Sequence, residues 1–138
     1  MKTRLSLLTV VALAVIHCGP PGPDRVEIAV TDSADALTTA GNDNLFSVTL
    51  SKAARSYALS EISVNAGLPG QTQTVVNFTL EDGNGNGKLD PGEKLNCKEP
   101  PVNLFDANTV GKAVTVSFTD QDQGTYFQVG SGTWTPAN

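Results

Sequence analysis

Apolar residues in this chain recur at every second position in short runs, and polar or turn-forming residues separate the runs. That period belongs to strands, where successive side chains face opposite ways. Residues 25–31 alternate with Val26, Ile28 and Val30 facing inward, and residues 32–44 are polar and turn-rich. Residues 45–50 place Phe46, Val48 and Leu50 on one face, and residues 51–55 have room for a short helical turn. Residues 56–64 read as one strand, with Ala58, Ser60, Ile62 and Val64 on one side and Tyr57 and Leu59 on the other. Gly67, Pro69 and Gly70 then break the chain. Residues 72–81 resume the alternation with Val76, Phe78 and Leu80 on one face. A short strand is expected at residues 101–105 and a longer one at 112–118. After a turn at 120–124, strands are expected at 125–129 and at 132–135, the last carrying Trp134. About eight short strands with turn signals between them predict an all-β, immunoglobulin-like β-sandwich, in which two sheets cover each other's apolar faces. No internal repeat is visible, and no helix longer than a turn or two is expected.

One connector departs from ordinary turn chemistry. Residues 82–93 read DGNGNGKLDPGE. Asp82, Asn84, Asn86, Asp90 and Glu93 place side-chain oxygens at positions 1, 3, 5, 9 and 12, and Lys88 offers its backbone carbonyl at position 7. Gly87 stands at position 6, where the chain must bend sharply, and Leu89 follows as an apolar anchor. This pattern matches the EF-hand calcium loop and predicts Ca2+ as the ligand. The rival reading is a plain Asn/Gly-rich surface turn, which has no use for Glu93. Three carboxylates and two amides place the expected affinity toward the weak end, roughly micromolar to millimolar. The flanks are not those of an EF-hand: the upstream segment is strand-like, and Pro100 and Pro101 end any helix downstream. The loop resembles those of dockerins and of the calcium-loaded B repeats of Gram-positive adhesins. That resemblance covers these twelve residues alone. The adhesin repeats imply a structural calcium that stiffens a β-sandwich; with one loop and no helix, cohesin binding is not implied.

The N-terminus reads as an export signal. Lys2 and Arg4 precede an apolar run over residues 5–16, too short for the roughly 20 residues a membrane span needs. Val15-Ile16-His17-Cys18 follows and resembles a bacterial lipoprotein signal, with His17 where a small residue is usual. The resemblance implies a signal peptide over residues 1–17 and lipid on Cys18, anchoring the protein to the cell envelope. Gly19, by resemblance to enteric lipoproteins, implies the outer membrane. The alternative is ordinary secretion without lipid. Pro20, Pro21 and Pro23 make residues 18–24 a short extended tether of under roughly 20 Å, and residues 25–138 form the domain.

Charge and composition narrow the function. Of nine Lys and Arg, two lie in the signal, so seven remain against fourteen Asp and Glu, a net charge of −7. That balance disfavours nucleic acid, which requires a basic patch. The single histidine is His17, in the signal, which removes the Ser/His/Asp arrangement and most zinc sites. A paired-carboxylate hydrolase requires two acids in a cleft, and no pair outside the loop stands out. Cys97 is left without an intramolecular partner if Cys18 carries lipid, and reads as a buried small apolar residue. Residues 120–124 are a hairpin tip or a second cation site. Asp32, Asp35 and Asp43 are further acids that a calcium end of the sandwich could gather. Tyr57, Tyr126, Phe127 and Trp134 could line a sugar platform, but aromatics are more often core. The expectation is a non-catalytic structural or adhesion module at the envelope, with a protein or glycan partner. The alternative is a carbohydrate-binding module with structural calcium.

Overall fold

A computed structural model of the protein describes residues 24–138. The signal segment, Cys18 and all of the tether except Asp24 lie outside the described residues. Among the described residues nine strands form: β1 (Glu27–Asp32), β2 (Asn44–Lys52), β3 (Tyr57–Ala58), β4 (Ile62–Gly67), β5 (Thr74–Glu81), β6 (Lys88–Leu89), β7 (Lys94–Lys98), β8 (Val114–Asp122) and β9 (Thr125–Trp134). Seven join one antiparallel sheet in the order β1-β2-β7-β5-β4-β8-β9, and β3 pairs with β6 apart from it. The expected β-sandwich is therefore what forms, as one sheet curled on itself into two layers and nearly closed as a barrel.

The curl has two causes. β5 serves both layers: residues 74–76 pair with β4, and residues 77–81 pair with β7. At the far seam β1 packs on β9, and the Val26 N–H donates to the Val129 carbonyl at 3.0 Å. Glycine makes that seam close. A Cβ on Gly130 would stand 2.8 Å from Val26 Cγ2, and one on Gly132 would stand 2.7 Å from Val30 Cγ2. Val26, Ile28 and Val30 thus pack their side chains against bare β9 backbone at this seam.

The core holds Leu45, Val48, Leu50, Val64, Leu95, Val116 and Phe118, all fully buried. Trp134 packs on Phe46 and edge-on against Phe105, with ring centroids 5.0 and 5.3 Å apart. Its indole N–H donates to Asp32 Oδ1 at 2.5 Å, so the buried polar tip is satisfied.

Four local expectations are corrected. Residues 56–64 are not one strand, because a 3-10 turn at Leu59–Glu61 separates β3 from β4. Tyr57 and Ile62 are both buried. Five residues apart, they would face opposite ways in an unbroken strand, and the turn resets that phase. Residues 101–105 form no strand; the buried Glu99 Oε1 instead accepts the Leu104 and Phe105 N–H groups at 2.7 and 2.6 Å. That bond satisfies backbone donors which a strand would have paired. No helical turn forms at 51–55, since β2 runs on to Lys52 and bends follow. Residues 125–135 hold one strand rather than two, with Val129 bulged out between the Phe118–Gly130 and Thr119–Gln128 pairs.

Candidate metal centre

Residues 82–93 are the tip of the β5–β7 hairpin. The last rung of its ladder is Glu81 opposite Lys94, whose side chains also pair at 3.0 Å. The twelve-residue loop begins and ends one residue inside that rung. Two further ties hold its second half. Leu89 is fully buried, and β6 pairs Lys88 with Ala58 and Leu89 with Tyr57. The Gly92 N–H donates to the Leu50 carbonyl at 2.7 Å, and the Leu50 N–H donates to the Glu93 carbonyl at 3.0 Å. Leu89 is thus the apolar anchor that the spacing predicted.

Within the loop each carboxylate collects donors. Asp82 Oδ1 accepts the N–H groups of Asn84 and Gly85 at 3.2 and 2.6 Å, and its Oδ2 accepts that of Gly87 at 2.7 Å. These bonds, that from Gly87 foremost, hold its carboxyl below the usual aspartate range. Asp90 Oδ2 accepts the side-chain amides of Asn84 and Asn86 at 2.5 and 2.7 Å, while its Oδ1 accepts the Ser56 hydroxyl. The Ser56 bond, then those from Asn84 and Asn86, lower the Asp90 pKa as well. Glu93 clasps the two halves: Oε1 accepts the Gly83 N–H at 2.8 Å and Oε2 accepts the Asp90 N–H at 3.0 Å. Asn84 Oδ1 and Asn86 Oδ1 accept the N–H groups of Asn86 and Lys88. Gly87 has φ of +73°, a conformation in which glycine alone is unstrained.

The six sequence-predicted residues therefore share one compact tip, linked through amides and backbone N–H groups. Among the described residues, no three or more His, Cys, Asp or Glu groups gather closely enough to hold an ion by themselves. Amide and carbonyl oxygens would have to complete any coordination sphere here. The donor chemistry fits a hard cation: every side-chain donor is oxygen, and no thiolate or imidazole is present in the loop. Two amide N–H groups converge on one oxygen of Asp90, so positive charge is already favoured at that point.

The other candidates go elsewhere. Asp120 lies buried inside β8, where Oδ2 accepts Arg55 Nη2 at 2.5 Å, and the hairpin tip is the two-residue turn Gln123-Gly124. Asp32 accepts from Trp134 and from the Ala137 N–H, Asp35 from Asn44, and Asp43 from Thr38. None of these joins the loop. Tyr57 and Trp134 are buried while Tyr126 and Phe127 are exposed, so the four aromatics do not share a surface. Cys97 is buried, and its thiol pKa is pushed up to about 12 by loss of solvent. The residue that sequence reasoning missed is Ser56. It lies 34 positions from Asp90, and no local pattern marks it. No family model, curated protein or solved structure matches the protein, so its chemistry rests on its own residues.

Proposed function

We propose that the protein is an exported β-sandwich module, held at the bacterial envelope by lipid on Cys18, whose loop binds one structural calcium ion. Asp82, Asn84, Asn86, Asp90 and Glu93 would supply side-chain oxygens, and Lys88 its carbonyl. The observation that carries this reading is the position of the loop: a full set of oxygen donors closes a hairpin between β5 and β7. When bound, calcium replaces the loop's internal N–H donors as the neutralising charge. The protein's own residues do the rest. Leu89 and Ser56 dock the tip on the body, Glu93 joins its ends, and the Glu81–Lys94 rung closes the base of the hairpin. The role is structural or adhesive rather than catalytic.

The test is calcium titration by calorimetry, followed by a thermal melt with calcium or chelator. At 100 times its dissociation constant, calcium stabilises the fold by about 2.7 kcal/mol. With about 2.1 cal/mol/K of unfolding entropy per residue over the 115 described residues, that is a rise of about 11 °C. No heat of binding together with an unchanged midpoint would remove calcium from the account.

A second reading, glycan binding, keeps one specific observation. Tyr126 borders an open groove with Ser63, Asn65, Val75 and Thr119, in which uncharged hydrogen-bonding groups lie beside an exposed ring. Binding on a glycan array that Tyr126→Ala abolishes would favour it.

A further inference from the structure

The loop contains the protein's only two Asn-Gly pairs, Asn84-Gly85 and Asn86-Gly87. All four residues are exposed. Asparagine before glycine is open to intramolecular attack, because the glycine has no Cβ to shield its own backbone nitrogen. The Gly85 nitrogen attacks Asn84 Cγ and forms a new C–N bond. The bond from Cγ to Nδ2 breaks, and ammonia leaves with the backbone proton. The resulting five-membered imide takes up one water and opens to aspartate or isoaspartate. The same sequence of steps applies to Gly87 and Asn86. No electrons are exchanged, and solvent supplies the water.

Both attacking nitrogens are held in this fold, and by one residue. The Gly85 N–H donates to Asp82 Oδ1 at 2.6 Å, and the Gly87 N–H donates to Asp82 Oδ2 at 2.7 Å. Both leaving amides are held by another: Asn84 Nδ2 and Asn86 Nδ2 donate to Asp90 Oδ2. Attack requires a glycine nitrogen to give up its bond to Asp82 and swing toward the preceding Cγ. We propose that Asn84 and Asn86 are deamidation sites that Asp82 guards by holding the two nucleophiles, so that modification proceeds when the loop opens. None of these steps requires calcium. Where calcium does bind, the aspartyl product carries five carboxylates in place of three, while the isoaspartyl product lengthens the backbone and spoils the spacing.

The test compares the protein with its Asp82→Ala and Asp35→Ala variants in chelator and mildly alkaline buffer, with folding checked by circular dichroism. Mass spectrometry follows the gain of acid at each asparagine. The native protein should deamidate slowly, and the same protein in urea should deamidate first at Asn84 and Asn86. Asp82→Ala should deamidate at both sites about tenfold to hundredfold faster than native, the span expected when a charge-assisted hydrogen bond no longer has to break. Asp35→Ala, which removes an acid bonded to Asn44 outside the loop and leaves both glycine nitrogens on Asp82, should change the rate by less than about threefold. Should Asp82→Ala fail to fold, Asp82→Ser retains one acceptor and should give a smaller acceleration of the same kind. Equal rates in native and Asp82 variants, equal acceleration by Asp35→Ala, or faster modification elsewhere in the unfolded protein would each overturn the assignment.

Discussion

Leu89→Ala is the sharpest test of whether the loop belongs to the body of the protein. Leu89 is the one fully buried residue of the tip, set against Tyr57 in a two-rung ladder. Truncating a fully buried leucine costs about 2–5 kcal/mol, depending on how far the site collapses. β6 is only two residues long and can settle inward, so a value of about 3 kcal/mol is expected. The 115 described residues imply an unfolding entropy of about 0.24 kcal/mol/K, so the melting midpoint should fall by about 12 °C. The assay is a thermal melt in chelator, which separates packing from metal. Val75→Ala is the control, since Val75 is 57% exposed and should move the midpoint by no more than about 2 °C. A Leu89→Ala midpoint within that same margin would show that the tip does not draw on the core, and the structural role of the loop would fail with it.

Three further outcomes follow from the site and its surroundings. Asn84→Asp with Asn86→Asp should bind calcium about tenfold more tightly by calorimetry, yet melt lower than native in chelator, because Asp90 loses both amide donors and faces two new charges. The Asp82 carboxyl is depressed in the fold, chiefly by the Gly87 N–H. Its contribution to stability is therefore complete above the unfolded value near 3.8 and is lost as pH falls through the lower folded value. Melts from neutral pH downward should show an acid limb that Asp82→Ala flattens. Cys97, buried with its thiol raised to about 12, should resist a thiol reagent at neutral pH in the folded protein and react at once in denaturant.

The sandwich was legible because its strands show period-two alternation, and burial follows it: Val48 and Leu50 are fully buried, while Val75, Asn77 and Thr79 stay exposed. The connector at residues 82–93 was legible as a unit because its pattern is local, with every member inside twelve residues. What could not be read is long-range. Ser56 reaches Asp90 across 34 positions and Trp134 reaches Asp32 across 102, and neither partner is marked by its neighbours. Phase errors came from the same source. Alternation predicts which face a residue takes, but not where a strand leaves one partner for another, as residues 56–64 do at Leu59–Glu61. Glu99 shows a third limit. A buried carboxylate that binds backbone N–H groups looks, in sequence, like any surface acid.

The place of the loop in the topology couples it to both layers of the sheet. β5 is the strand that passes from one layer to the other, and the loop leaves its end directly. Through Leu50 the loop is tied to β2, through Leu89 to β3, and through Ser56 to the connector between those strands. The residue before Ser56, Arg55, carries the connection onward: it pairs with Asp120 in β8 at 2.5 Å and lies over the Tyr57 ring at 4.4 Å. An ordered tip therefore fixes one corner of the curled sheet and, through that short connector, reaches the opposite layer. A tip that opens releases Ser56 and Leu89 together, and with them the contacts that hold the β2–β3 connector against β8. A cation that orders these twelve residues would thus act on the packing of both layers, although it touches only one hairpin.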